Sequence, residues 1–206
     1  MPFINELEKL APLSEECKIA LREAAKLKNY PKKHCLLSPE QMSDKLYYVE
    51  SGLLRVFYRT DTDTDTDTDT DTDTDTDTRQ VTAWFGREGT FVASIQSFLQ
   101  KKPSNEYIEL LEDSQLWVMK QADLEVLFVE FPELHLHFWG MYKKYMTTYG
   151  NTLRLLREKN AEKRYACFNK LYPGLANRAQ VNHIAQFINL DANTLSKIRS
   201  KLAAKK

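Results

Sequence analysis

The sequence predicts an α+β protein: an N-terminal β jelly roll with flanking helices, then a long helix, then a C-terminal helix-turn-helix. Three observations predict it. Between Leu46 and Met119, short runs of aromatic and branched residues alternate with polar punctuation, the texture of a strand-built roll. On either side of that stretch apolar residues recur at three and four. Near the end, Val181 to Arg199 reads as two short helices around a tight turn.

In chain order, residues 2–28 read as helix, with Leu7, Leu10, Leu13, Cys17, Ala20, Leu21 and Ala24 on one face and Ser14 starting a second piece. From Tyr30 the texture turns to β. Leu46–Val49, then Gly52, then Leu53–Tyr58 read as a turn followed by a strand, and Gln80–Phe85 as another strand. Phe91–Ile95, Tyr107–Leu111 and Gln115–Met119 follow as strands, and helical patterning resumes at Ala122.

Thr60 to Thr78 is a strict Thr-Asp alternation with nine aspartates. An extended chain would place every carboxylate on one face, with nothing apolar to bury, so a solvated hairpin loop is expected. Calcium binding is disfavoured, because calcium loops bend around the ion and mix in carbonyl ligands.

From Glu133 to Asn160, Phe138, Tyr142, Tyr145, Tyr149, Thr152 and Leu156 step by four and three, the spacing of a coiled-coil seam. A homodimer through Phe138, Tyr142, Tyr145, Tyr149 and Leu156 is the expectation, although the same face could pack on its own β-domain. Asn160 is placed to cap a helix over 161–171, which Pro173-Gly174 stops. Then Ala185 offers the small residue for a close helix crossing, Asn189 tolerates a left-handed turn, and Asp191 caps the last helix. Ile184, Ile188, Leu190, Leu195 and Ile198 close its core. Asn193, Ser196, Lys197 and Lys201 are left outward, with Arg199, Ser200 and Lys205 flanking, donors suited to base edges and phosphates.

The chain is 206 residues long with a formal net charge of zero. That balance hides a split, because residues 151–206 carry twelve Lys and Arg against three acids. Such a basic end fits a polyanionic partner. Three scattered cysteines, Cys17, Cys35 and Cys167, suit a reducing cytoplasm and no disulfide framework. No apolar run is long enough for a bilayer, and the N-terminus lacks a secretory pattern, so a soluble cytoplasmic protein without membrane partners is expected.

Leu46 to Val56, Phe91 to Phe98, Ser104-Asn105-Glu106-Tyr107-Ile108-Glu109, Ala161-Glu162-Lys163-Arg164-Tyr165 and Thr194 to Arg199 together resemble the Crp/Fnr family of transcription regulators. The wording is similar to the branch common in Bacteroidetes more than to the cyclic AMP receptor protein. The resemblance covers all but the Thr-Asp tract. It implies a cyclic nucleotide-binding-like sensor domain over 1–132 with the 60–78 hairpin loop, a dimerisation helix over 133–160 and a DNA-binding helix-turn-helix over 161–206. It also implies double-stranded DNA and RNA polymerase as partners. By alignment Ala192, Asn193 and Lys197 take the base-reading places, and Lys201 is expected on phosphate. The chain ends a few residues after the recognition helix, so a reduced DNA-binding unit is expected.

Family members that take cyclic AMP carry a Glu for the ribose and an Arg-Ser pair for the phosphate. The matching places here are Phe91-Val92-Ala93-Ser94-Ile95 and Ser104-Asn105. A buried phosphate without a cation is poorly paired, so the sequence argues against cyclic AMP and leaves any other effector open. Ser94, Gln96, Ser104 and Asn105, with Lys101 and Lys102 at the mouth, are the candidate pocket residues. No cofactor is expected, since the cysteines lack cluster spacing. Nor is an enzyme expected. His135-x-His137 could suggest a metal-dependent β-roll, but in a helix residues two apart point to different sides. The alternative function is a sensor or interaction protein that kept this fold without binding DNA.

Overall fold

The computed structural model describes residues 1–61 and 78–204. The interior of the Thr-Asp tract, and with it the expected loop, lies outside the described residues, as does Lys205.

The chain opens with helices α1 (Pro2–Glu8) and α2 (Glu15–Ala24). Ser14 caps α2, its hydroxyl accepting the Cys17 amide at 3.2 Å. The helix expected to run to residue 28 stops at Ala24, and β1 (Lys26–Tyr30) begins at once. The reason is tertiary. Lys26 to Tyr30 pair residue for residue with Val118 to Ser114, and these ladder bonds override local helical periodicity.

The other strands are β2 (Cys35–Leu37), β3 (Lys45–Ser51), β4 (Leu53–Asp61), β5 (Thr78–Arg87), β6 (Phe91–Val92), β7 (Tyr107–Leu110) and β8 (Ser114–Lys120). They form two antiparallel sheets, ordered β1-β8-β3-β6 and β2-β7-β4-β5. Tyr47, Val49, Leu54, Val56, Ile108, Leu110, Leu116 and Val118 fill the space between them. Alternation along each strand sends these side chains inward, the packing of a jelly roll. At the β3–β4 turn Gly52 has φ +115°, and a Cβ there would lie 2.0 Å from Ser114 Oγ, so only glycine fits. Pairing of β4 with β5 reaches out to Asp61 and Thr78, so the tract does join two hairpin strands.

The strand expected over 91–95 is only two residues long. The Ser94 carbonyl accepts the Phe98 amide at 2.8 Å and opens helix α3 (Ile95–Gln100), which the strand-like composition concealed.

Helix α4 (Gln121–Glu130) is followed at Pro132 by the long α5 (Leu134–Arg157). Phe3, Ile4, Leu7, Cys17, Leu21, Leu124, Leu127 and Leu134 share one buried cluster that fixes α1, α2, α4 and the start of α5 against the roll. Glu133 joins it by accepting the Ser14 amide and hydroxyl at 2.9 and 2.8 Å.

The remaining helices are α6 (Ala161–Leu171), α7 (Val181–Phe187) and α8 (Ala192–Ala203). Their core is not their own. Leu53, Phe85 and Leu111 of the roll lie in the same cluster as Phe168, Tyr172, Phe187, Ile188 and Leu195. Phe85 meets the rings of Phe168, Tyr172 and Phe187 at 6.2, 5.8 and 5.7 Å. Buried rings of this kind contribute about 1.5–3 kcal/mol each.

Candidate nucleic-acid interface and sensor cassette

The turn between α7 and α8 is built from four separate restraints. Asn189 sits at φ +52°, a left-handed conformation that asparagine tolerates. The Leu190 amide donates to the Ala185 carbonyl at 2.9 Å, closing the end of α7. Arg164, from α6, donates to the Ile188 and Asn189 carbonyls at 3.2 and 3.0 Å and so holds the turn from outside. Asp191 accepts the Thr194 amide at 2.7 Å and caps α8, and the Thr194 side chain, then its amide, hold the carboxyl below the usual range. Of these, Arg164 was not evident from the sequence, because it acts from a different helix.

On α8, Leu195 and Ile198 are buried, while Asn193, Ser196, Lys197, Ser200 and Lys201 are exposed on the opposite side. Ala192 and Arg199 are half-buried at its edges. The side chains of Asn193, Ser196 and Lys197 have no hydrogen-bond partner among the described residues. Lys201 is paired with Glu162 of α6.

Along α5, Phe138, Tyr142, Tyr145, Tyr149 and Leu156 are all exposed, as are Trp139, Met146 and Leu153. Tyr145 and Tyr149 stack on one another along this face. His137 is buried with Nδ1 against the Leu7 carbonyl at 3.0 Å, whereas His135 is exposed. Among the described residues no group of three or more His, Cys, Asp and Glu could hold a metal ion.

The candidate pocket residues do not gather around one opening. Ser94 and Ser104 are buried together with Ser43 and Ser97. Ser104 Oγ donates to Ser94 Oγ at 3.1 Å, and Ser94 Oγ to Glu106 Oε2 at 2.7 Å. Ser43 receives the Ser94 amide at 3.3 Å, and Ser97 receives the Ser43 amide at 3.0 Å. The hydroxyls are thus engaged within the chain, Ser97 Oγ donating to the Lys102 carbonyl and Ser94 Oγ to the Glu106 carboxylate. Gln96, Lys101, Lys102 and Asn105 are exposed, and Lys101 pairs with Glu125 at 2.8 Å. Glu106 is the member the sequence did not single out.

A third polar set lies between the roll and α7. Arg55, only 4% exposed, bonds Glu109 at 2.8 Å, Gln80 at 2.9 Å and Gln186 of α7 at 3.1 Å. It also stacks over the Phe57 ring, 4.0 Å from its centre. Thr82 donates to the same Gln186 oxygen at 3.0 Å. Arg178 forks onto both Glu88 and Glu112, and this guanidinium holds the Glu88 carboxyl down to about 2.

A two-sheet antiparallel roll with a serine-lined cassette, extended by a long helix and a compact helical end, defines the class of cyclic nucleotide-binding-like jelly rolls joined to an all-helical unit. The family model for the cyclic nucleotide-binding domain matches residues 27–130, about half the chain, and the chain belongs to that family. Solved structures agree in fold. FixK2 from Bradyrhizobium japonicum is 18% identical with a TM-score of 0.70, over 88% of this chain and 85% of that one. The c-di-GMP-responsive global regulator CLP of Xanthomonas campestris is 14% identical with a TM-score of 0.69, over 93% of both chains. The catabolite activator protein of Thermus thermophilus is 20% identical with a TM-score of 0.53, over 97% of this chain and 87% of that one. At such identities the likeness is one of fold. No curated protein gives a significant match. Among the described residues no helix is long and apolar enough to cross a membrane.

Proposed function

We propose that this chain is a dimeric, non-catalytic transcription regulator of the Crp/Fnr type, in its Bacteroidetes branch. Residues 1–132 form the sensor, 133–160 the dimerisation helix and 161–206 a helix-turn-helix that reads double-stranded DNA. The observation that carries this reading is the α8 surface, where Asn193, Ser196 and Lys197 stand exposed and unpaired on a helix whose start and turn are tightly fixed. Donors without internal partners on a rigid helix suit the major groove. Asn193 pairs with adenine, Lys197 with guanine and Ser196 with either. Ala192 contacts a thymine methyl, Arg199 flanks, and Lys201 exchanges Glu162 for a phosphate.

Two copies join through Phe138, Tyr142, Tyr145, Tyr149 and Leu156, a parallel pairing that places two copies of α8 about one helical turn of DNA apart. The sensor does not take cyclic AMP, and support comes from Glu106, a carboxylate in the cassette where a phosphate needs a cation. Any effector is of another chemistry. Within this reading the protein works in the cytoplasm, with RNA polymerase as a further partner.

A gel-shift assay on promoter fragments tests the reading. Binding that falls steeply with salt is expected, because phosphate contacts release counterions. A dimer that binds no DNA at low salt would instead be a sensor or interaction protein of the same fold.

A further inference from the structure

The junction between the roll and α7 combines features that a permanently fused interface does not need. Beside the apolar contact of Phe187 with Phe85 it has a polar half: a buried arginine, a threonine hydroxyl and two glutamines, with Gln186 Oε1 accepting from both Arg55 and Thr82. Its edge is a salt-bridge fork, Arg178 on Glu88 and Glu112. Beside the centre lies an open cleft of about 270 Å³ whose charged and titratable walls are Lys32, Lys33, Glu109, Arg178 and His183. His183 belongs to α7, and its Nδ1 is buried with no partner among the described residues.

We propose that this junction is a latch that opens on acidification, with His183 as the group that takes up the proton once α7 lifts from the roll. This is a statement about how the helical end is held, independent of whether α8 reads DNA. Docked, the imidazole is kept neutral. Burial and then the neighbouring Arg55 guanidinium hold its pKa down to about 4, with Glu109 opposing them only in part. Lys32, Lys33 and Arg178 face the same cleft and add no anion that could stabilise an imidazolium. The carboxylates on Arg178 are already engaged by its guanidinium.

Undocked, the imidazole returns to the ordinary value of 6.5. A base whose pKa is depressed in the docked state binds more protons when released, so opening gains as pH falls below 6.5 and stops gaining near 4. From those two values opening is favoured about threefold at pH 6 and about twentyfold at pH 5, relative to neutral pH. Glu88 pulls the same way only below its ordinary value of 4.5, because Arg178 holds it ionised when docked. The released polar groups find water partners, whereas Phe187 must leave Phe85, an apolar cost that keeps the latch closed at neutral pH.

Amide hydrogen exchange on the full chain, without DNA, tests the latch. After correction for intrinsic rates, protection of Val181–Phe187 should fall about twentyfold from pH 7 to pH 5, while the β3 and β8 amides keep theirs. His183→Gln, which cannot titrate, should reduce that change to less than about threefold. Arg178→Gln should lower protection at both pH values alike. The His183 ring itself, followed by NMR in the unsubstituted protein, should titrate near 4. Titration near 6.5, protection unchanged at pH 5, or a pH response retained in His183→Gln would each overturn the proposal.

Discussion

The cassette around Ser94 and the outward faces of α5 and α8 treat their side chains in opposite ways. In the cassette, four buried serines spend their hydrogen bonds on one another, on neighbouring backbone and on Glu106. On α8, the side chains of Asn193, Ser196 and Lys197 face water with no partner among the described residues, and on α5 a row of aromatic rings lies exposed. A polar group satisfied inside the chain is matched to its neighbours, and a ligand must break those bonds to use it. An ordered group left open costs little to engage. In the proposed reading external partners therefore meet the helices, and the cassette serves as structure.

That contrast can be broken first on α5. Tyr145→Glu places like charges opposite each other at the proposed seam and should convert the dimer to monomer at micromolar concentration, read by sedimentation. A persistent dimer would show that another surface joins the two copies.

In the cassette, Ser94→Ala should lower stability by about 1–3 kcal/mol, because Glu106 loses the hydroxyl it accepts in a half-buried place. Chemical denaturation measures this, and a neutral result would mean that the serine network is not a structural unit. The mirror experiment is Asn193→Ala, which should leave stability within about 0.5 kcal/mol. On the preferred DNA site it should cost roughly 1–3 kcal/mol and flatten one base position in binding-site selection. Lys201→Ala should instead weaken all sequences about equally, through lost phosphate contact.

The smallest effect is expected from replacing residues 62–77 with an Asp-Gly turn. Loop closure grows only with the logarithm of length, and a row of like charges is removed, so melting temperature should rise slightly. A large fall would make the tract part of the fold.

Much of the helical end was legible because its signals are local. Asn160 and Asp191 cap their helices through amides three residues on, and Asn189 takes the left-handed turn its side chain tolerates. The failures have a common cause in distant partners. Lys26 to Tyr30 becomes a strand only because β8 is there to pair with it. Phe91 to Ile95 looks like a strand by composition, but the chain turns into α3 after Val92. The junction is the extreme case: Arg55 and Gln186 are 131 residues apart, and neither carries a local mark of the other. Among the site residues, exposure of the α5 and α8 faces followed from periodicity, whereas the closure of Ser94 and Ser104 onto Glu106 did not.

Phe85 is a strand residue that completes the hydrophobic centre of the helical end. A fragment ending near residue 158 would lay Leu53, Phe85 and Leu111 open to solvent as one patch, and the severed helices would lack the ring on which three of their aromatics converge. Each piece expressed alone would carry a sticky scar where the other had been. Domain swaps with proteins of the same fold would have to carry this strand along with the helices. The natural cutting point of the molecule therefore does not coincide with any single peptide bond.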